Sequence, residues 1–209
     1  MSETLIAPRL EWFPRPHPDA RYLTRWRAAK LSYSPGDEQT QPGWHHDHYE
    51  NVIAPGAGEA LFARAADLLM RYQFYPAEVI EHVSDFELAG RWAQTGDRVI
   101  QRIHAARFGL VWVDVVTMTA ITAALQEPRR AGFTYTTTEA HFERGEWQVE
   151  LTWRENGEIV LNMRAVSKPG PRMPWFQHPY ARWLQLQAHR RGIAAFTRAV
   201  NGAGQGQGV

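Results

Sequence analysis

Between Glu146 and Arg154 the chain alternates without a break. Trp147, Val149, Leu151 and Trp153 share one parity; Glu146, Gln148, Glu150, Thr152 and Arg154 share the other. A period of two is what a strand with one buried and one wet face imposes, and such strands build antiparallel sheets. A two-residue loop at Asn156-Gly157 would set Val149 against Arg164 and Leu151 against Asn162, mixing the faces. A three-residue loop, Glu155-Asn156-Gly157, sets Trp153 against Ile159, Leu151 against Leu161 and Val149 against Met163, and closes with Arg154 opposite Glu158. A one-residue slip turns every side chain over, so the second register is selected. Its loop is a type I turn ending in a left-handed residue, which suits Gly157.

This hairpin ends a β-rich stretch from about Val79 to Ser167. Val111 to Met118 alternates again, and FTYTTTE (Phe133–Glu139) is aromatic or β-branched nearly throughout. A short strand is expected over His48–Ala54 and a helix over Gly58–Tyr72, with Leu61, Ala65, Leu68, Leu69 and Tyr72 as its apolar stripe and Arg64, Asp67 and Arg71 opposite. A last helix is expected over Pro179–Val200, with Trp183, Leu186, Ile193, Phe196 and Val200 inward and a bend at Gly192. The fold class is α+β: a curved antiparallel sheet wrapped around a long C-terminal helix. That element order resembles the helix-grip architecture of START and Bet v 1-like binders, which implies an apolar cavity between sheet and helix.

Residues 1–48 are rich in Pro, His and Trp and read as an irregular N-terminal arm with a short helix near Ala20–Leu31. Trp12, Phe13, Tyr22, Trp26 and Trp44 are too many rings for a free tail, so the arm packs on the body. Residues 49–200 form the single α+β domain, and 201–209 a disordered Gly/Gln-rich tail. A length of 209 residues suits one core. Twenty-three basic against 22 acidic residues argues against nucleic-acid binding. With no cysteine there are no disulfides, thiolate metal sites or cysteine nucleophiles. No window approaches the roughly 18 apolar residues of a membrane helix, and the N-terminus lacks a signal pattern, so membrane insertion is not expected and a cytoplasmic location is.

Several motifs carry a resemblance. GFTYTTTEAHFERGEW, MRAVSKPG and HPYARWLQ are similar to the domain-of-unknown-function family nineteen-ninety, on Phe133, Tyr135, Thr137, His141, Gly145, Glu146, Ser167, Pro169, Pro179 and Arg182. ENVIAPGAGEALFARAADLL fits the family's first half. The resemblance spans about Tyr49 to Ala195. Thr138 and Glu139-Ala140 depart from the usual pattern. The family has no established activity, so the resemblance implies no mechanism.

His141-Phe142-Glu143-Arg144-Gly145-Glu146 is the best candidate for chemistry: His141 as general base, oriented by Glu143 or Glu146. Its plain alternative is a turn in which Gly145 supplies unusual backbone angles. His45-His46-Asp47-His48 has metal-ligating types, but an extended chain sends His45 and Asp47 to one face and His46 and His48 to the other, so no metal and no cofactor are expected. Ser167 lacks a G-x-S-x-G elbow and reads as a turn former. Arg182, near the start of the last helix, holds a ligand's carboxylate or phosphate, or pairs with Glu146 or Glu150. Three readings follow. The first is a binder of a small, mostly apolar molecule, contacted by Tyr135, Trp147, Arg164 and Arg182. The second is a hydrolase-, cyclase- or isomerase-type enzyme using His141. The third is an interaction protein whose arm forms a homodimer seam or partner surface.

Overall fold

The computed structural model describes residues 6–12, 17–109 and 111–202. Eight strands form one sheet: β1 (Arg9–Trp12), β2 (His45–Ala54), β3 (Ile80–Ser84), β4 (Arg98–Phe108), β5 (Val111–Glu127), β6 (Arg130–Thr137), β7 (Glu143–Trp153) and β8 (Ile159–Pro169). Their order is β2-β8-β7-β6-β5-β4-β3, antiparallel throughout, with β1 pairing beside the first half of β5. The helices are α1 (Arg21–Arg25), α2 (Asp37–Thr40), α3 (Glu59–Met70), α4 (Asp85–Leu88) and α5 (His178–Asn201), the last following a single 3-10 turn at Trp175–Gln177. The sheet curves around α5, which makes this a helix-grip fold.

The β7–β8 hairpin has the register that the alternation selects: Trp153 opposite Ile159, Leu151 opposite Leu161, Val149 opposite Met163. Arg154 N–H donates to the Glu158 carbonyl at 2.8 Å, and Gly157 has φ +88°. The inward residues Val149, Leu151, Ile159, Leu161 and Met163 are fully buried.

The last helix departs from its expected face. Trp183 is 53% exposed and stacks on Tyr180. The inward side of the first half of α5 is instead Ala181, Leu184, Gln185, Ala188 and His189. Gly192 marks no helix break: a Cβ there would lie 2.4 Å from the Phe74 ring, so the missing side chain lets helix and ring approach. In α3, Ala65 and Leu69 are buried as expected, but Phe62, Ala66 and Met70 join them while Leu61 and Leu68 are half-buried. The buried stripe is rotated because α3 is covered on two sides, by β6–β7 and by α5.

The N-terminal arm is more ordered than an irregular segment. It supplies β1, α1 and α2, and the strand expected from His48 starts at His45. The short helix covers only Arg21–Arg25. Tyr22, Leu23, Trp26 and Ala29 cover Val83, Ile100, Val116 and Met118 on the convex side of the sheet, forming a second core. Trp12 is exposed, and Phe13 lies outside the described residues. Under the arm, Arg102 is fully buried among Glu11 (3.1 Å), Glu81 (3.5 Å) and Asp114 (3.6 Å). Of the expected C-terminal tail only Asn201 and Gly202 are described, Asn201 closing α5.

Candidate functional site

Inside the grip the two halves differ. Where α3 slides between the sheet and the second half of α5, Phe62, Leu69, Leu151, Ile159, Phe196 and Val200 fill the space. Under the first half of α5 the facing side chains are small: Ala105, Ala106, Gly145, Ala165, Ala181 and Ala188. Small residues on facing surfaces leave room that the backbone cannot close. The result is a cavity of about 420 Å³, floored by Trp147 and Tyr135 and walled by Ile103, Val113, Val115 and Leu184. Its mouth is lined by exposed apolar residues: Leu10, Trp12, Phe108 and Tyr180. Tyr180 straps the mouth. Its hydroxyl donates to the Ala105 carbonyl at 2.5 Å, where a bulge between His104 and Ala106 takes Ala105 out of the β4–β5 pairing.

Polar groups stand on several walls. Tyr135 lies beside Tyr72, with ring centroids 6.3 Å apart, and close to Tyr75 and Gln101. The Gln101 amide donates to Tyr72, and the Thr117 hydroxyl donates to Gln101 Oε1 at 3.3 Å. Burial raises the pKa of all three phenols, so they stay neutral. Tyr72 has φ +64°, just past the end of α3, a place usually taken by glycine. A bulky residue there costs on the order of 1 kcal/mol. The strain sets the phenol into this network.

Glu143 and His141 share one wall. The His141 Nδ1 lies 2.9 Å from the Glu143 backbone nitrogen and 3.1 Å from the Glu143 carbonyl oxygen. Burial lowers the His141 pKa to about 4 against the opposing backbone bond. The expected carboxylate partner is therefore absent: backbone, not Glu143 or Glu146, orients the ring. The Glu143 carboxyl lines the cavity, and no described side chain hydrogen-bonds to it. Burial pushes it up to about 7, only partly offset by Arg182. Glu146 alternates to the other side, towards Tyr33 and Glu38 on the arm. Gly145, at φ +152°, lets β7 approach β8: a Cβ would meet the Val166 carbonyl at 1.9 Å.

Two of the four residues expected to touch a ligand, Tyr135 and Trp147, line the cavity; two do not. Arg164 lies between the buried Met163 and Ala165 and opposite Gln148, so it is exposed on the convex face. Arg182 is engaged elsewhere. Its guanidinium makes two bonds to Asp47, at 2.5 and 2.6 Å, and a third to Gln185 at 2.6 Å. The ion pair expected with Glu146 or Glu150 forms with Asp47 instead, because strand parity points Asp47 inward beneath α5. Burial works against the Asp47 charge, but Arg182 outweighs it and holds the carboxyl below its usual range. The three histidines around Asp47, His45, His46 and His48, are all exposed, whereas Asp47 is half-buried against Arg182. Ser167 is no turn former: it sits inside β8, buried, bonded to Gln185 at 2.9 Å. His189, buried and lowered to about 4 by desolvation, completes this side of the cavity.

Sequence reasoning missed Tyr72, Tyr75, Gln101, Thr117 and His189. Two signals were available. Gln101 interrupts the apolar run of VIQRI, and α3 ends on tyrosine where glycine or asparagine is the rule.

A curved sheet closed by one long helix over a half-empty interior defines a helix-grip protein. The chain belongs to the family of the domain of unknown function DUF1990, whose model matches residues 28–195. The match reaches back into the arm, further than the resemblance from Tyr49 onward. No curated protein matches the chain. Similar solved structures include Ara h 8.0201 (11% identity, 77% of this chain and 99% of that one, TM-score 0.49). A protein of unknown function from Staphylococcus aureus aligns at 14% identity, over 79% and 99%, with TM-score 0.46. An aromatase/cyclase, Zhui from Streptomyces sp. R1128, aligns at 16% identity, over 79% and 99%, with TM-score 0.45. Among the described residues no helix is long and apolar enough to cross a membrane.

Proposed function

We propose that this protein binds a small, mostly apolar molecule in the cavity between the sheet and the first half of α5. The observation that carries the reading is the cavity itself: about 420 Å³, with mostly apolar walls, polar groups set among them, and a mouth edged by exposed rings. Such a combination is the usual form of a small-molecule site. Tyr135 and Trp147 supply the floor, and Tyr180 holds the helix to the sheet across the entrance. A cytoplasmic site of action belongs to this reading, in keeping with a chain without cysteine. Catalysis through His141 has less support. A base with a pKa near 4 holds few protons at neutral pH and has little power to remove one. Native mass spectrometry of the protein as purified tests the reading. A co-purified molecule of a few hundred daltons is expected, released on denaturation and lost when Ala188 is enlarged to Trp. Finding only the bare polypeptide, together with no displacement of an apolar fluorophore, would overturn it.

A further inference from the structure

The cavity has a charge signature as well as a shape. Among its described lining residues there is no lysine and no arginine, in a chain that holds 23 of them. Glu143 is the carboxyl aimed into it, since Glu146 turns to the convex side. The nearest guanidinium, Arg182, is committed to Asp47 and Gln185. His141 and His189, which also face this space, are neutral at physiological pH. An anionic head group would meet a carboxyl and no cation.

The nearest amide is engaged: Gln101 donates to Tyr72, and no described side chain donates to Glu143. The lining donor left buried without a partner is the Trp147 indole N–H. A carboxylate without donors in an apolar recess must take them from whatever enters. Beside it, Tyr75, Tyr135 and Trp147 form an aromatic box, with Tyr135 stacked on Trp147 at 5.2 Å and Tyr75 at 5.9 Å from it. Aromatic faces attract cations, and a carboxylate beside them adds a full charge. Resting on the binding role above, we infer that the ligand is an apolar molecule carrying a protonated amine, its nitrogen seated between Glu143 and the faces of Tyr75, Tyr135 and Trp147.

Three probes with one tail and different heads separate the claims: decylamine, decanol and decanoate. Each is titrated at pH 8 into delipidated protein, with calorimetry and tryptophan fluorescence as readouts. The amine is expected to bind about tenfold more tightly than decanol, the margin of a desolvated charge contact, with decanoate weakest. Glu143→Gln is expected to erase the margin of amine over alcohol while leaving decanol within about twofold, and Glu146→Gln to change neither. Circular dichroism confirms that both variants are folded. If decanol or decanoate binds as well as the amine, or if E143Q keeps the preference, the inference fails and the cavity remains a binding site. If no probe binds, the binding reading itself falls.

Discussion

Replacing Glu143 with glutamine should stabilise the protein, and by an amount that depends on pH. The carboxyl titrates at about 7 in the folded chain against an ordinary 4.5, the difference arising first from desolvation in the cavity wall. Below pH 4.5 folded and unfolded chains both hold the proton and the group is neutral to stability. Between 4.5 and 7 the unfolded chain releases it while the folded chain retains it, so stability falls as pH rises. Above 7 the folded protein also ionises and the loss is complete. At ~1.4 kcal/mol per pH unit the full loss is about 3 kcal/mol, an upper figure because the cavity admits solvent. Glutamine keeps the shape and removes the charge. E143Q should therefore exceed the parent by less than about 1 kcal/mol at pH 5 and by about 2–3 kcal/mol at pH 8. His141 and His189 titrate near 4 in both proteins and cancel in the difference. Urea unfolding of ligand-free protein, followed by tryptophan fluorescence at half-unit pH steps, measures this directly. A constant gap from pH 5 to 8, or a less stable E143Q at pH 8, would refute the burial of an unpaired carboxyl.

Other substitutions probe the frame around the site. Gly192→Ala puts a methyl 2.4 Å from the buried Phe74 ring, and the overpacking should exceed the helix-propensity gain, for a net loss of about 1–2 kcal/mol in denaturant unfolding. An unchanged midpoint would mean that Phe74 yields freely. Asp47→Asn removes the anion that holds Arg182 and should cost about 1–3 kcal/mol, seen as a lower Tm at pH 7 and a difference that shrinks only as acid titrates the lowered Asp47 carboxyl. Deleting residues 1–30 strips Tyr22, Leu23 and Trp26 from Ile100, Val116 and Met118, and size-exclusion chromatography should show aggregates. A folded monomer would instead mean that the arm is dispensable to the sheet, as an interaction surface would be.

What was legible in the sequence was local. The β7–β8 register follows from neighbouring residues: parity sorts the faces, and Gly157 permits the one loop that keeps them sorted. The same register already turned Arg164 outward, since Val149 opposite Met163 leaves Arg164 on the wet parity; naming it a ligand contact ignored that parity. The phase of α5 was less accessible. A helix over solid core shows large inward residues, and Phe196 and Val200 follow that rule. A helix over a hollow does not, and its first half hides behind alanines while Trp183, the most apolar-looking residue there, faces solvent.

The site residues divide on the same principle. His141 and Glu143 are two apart, and sequence alone ranks the imidazole as the more chemical of the two. The fold reverses the ranking, because the Glu143 backbone occupies the His141 Nδ1 while no described side chain bonds to the carboxyl. Whether a donor is free depends on residues far apart in the chain. Gln101, Tyr135 and Tyr72 meet only when β4, β6 and the end of α3 close around one space, and Arg182 is removed from it only because Asp47 sits on the far edge strand. The cavity's character is thus a subtraction: Arg182 withdrawn to Asp47, the Gln101 amide turned to Tyr72, and a single carboxyl left without a side-chain partner. A ligand that brings its own donors and positive charge completes that arrangement, whereas one bearing a carboxylate adds a second unpartnered anion to it.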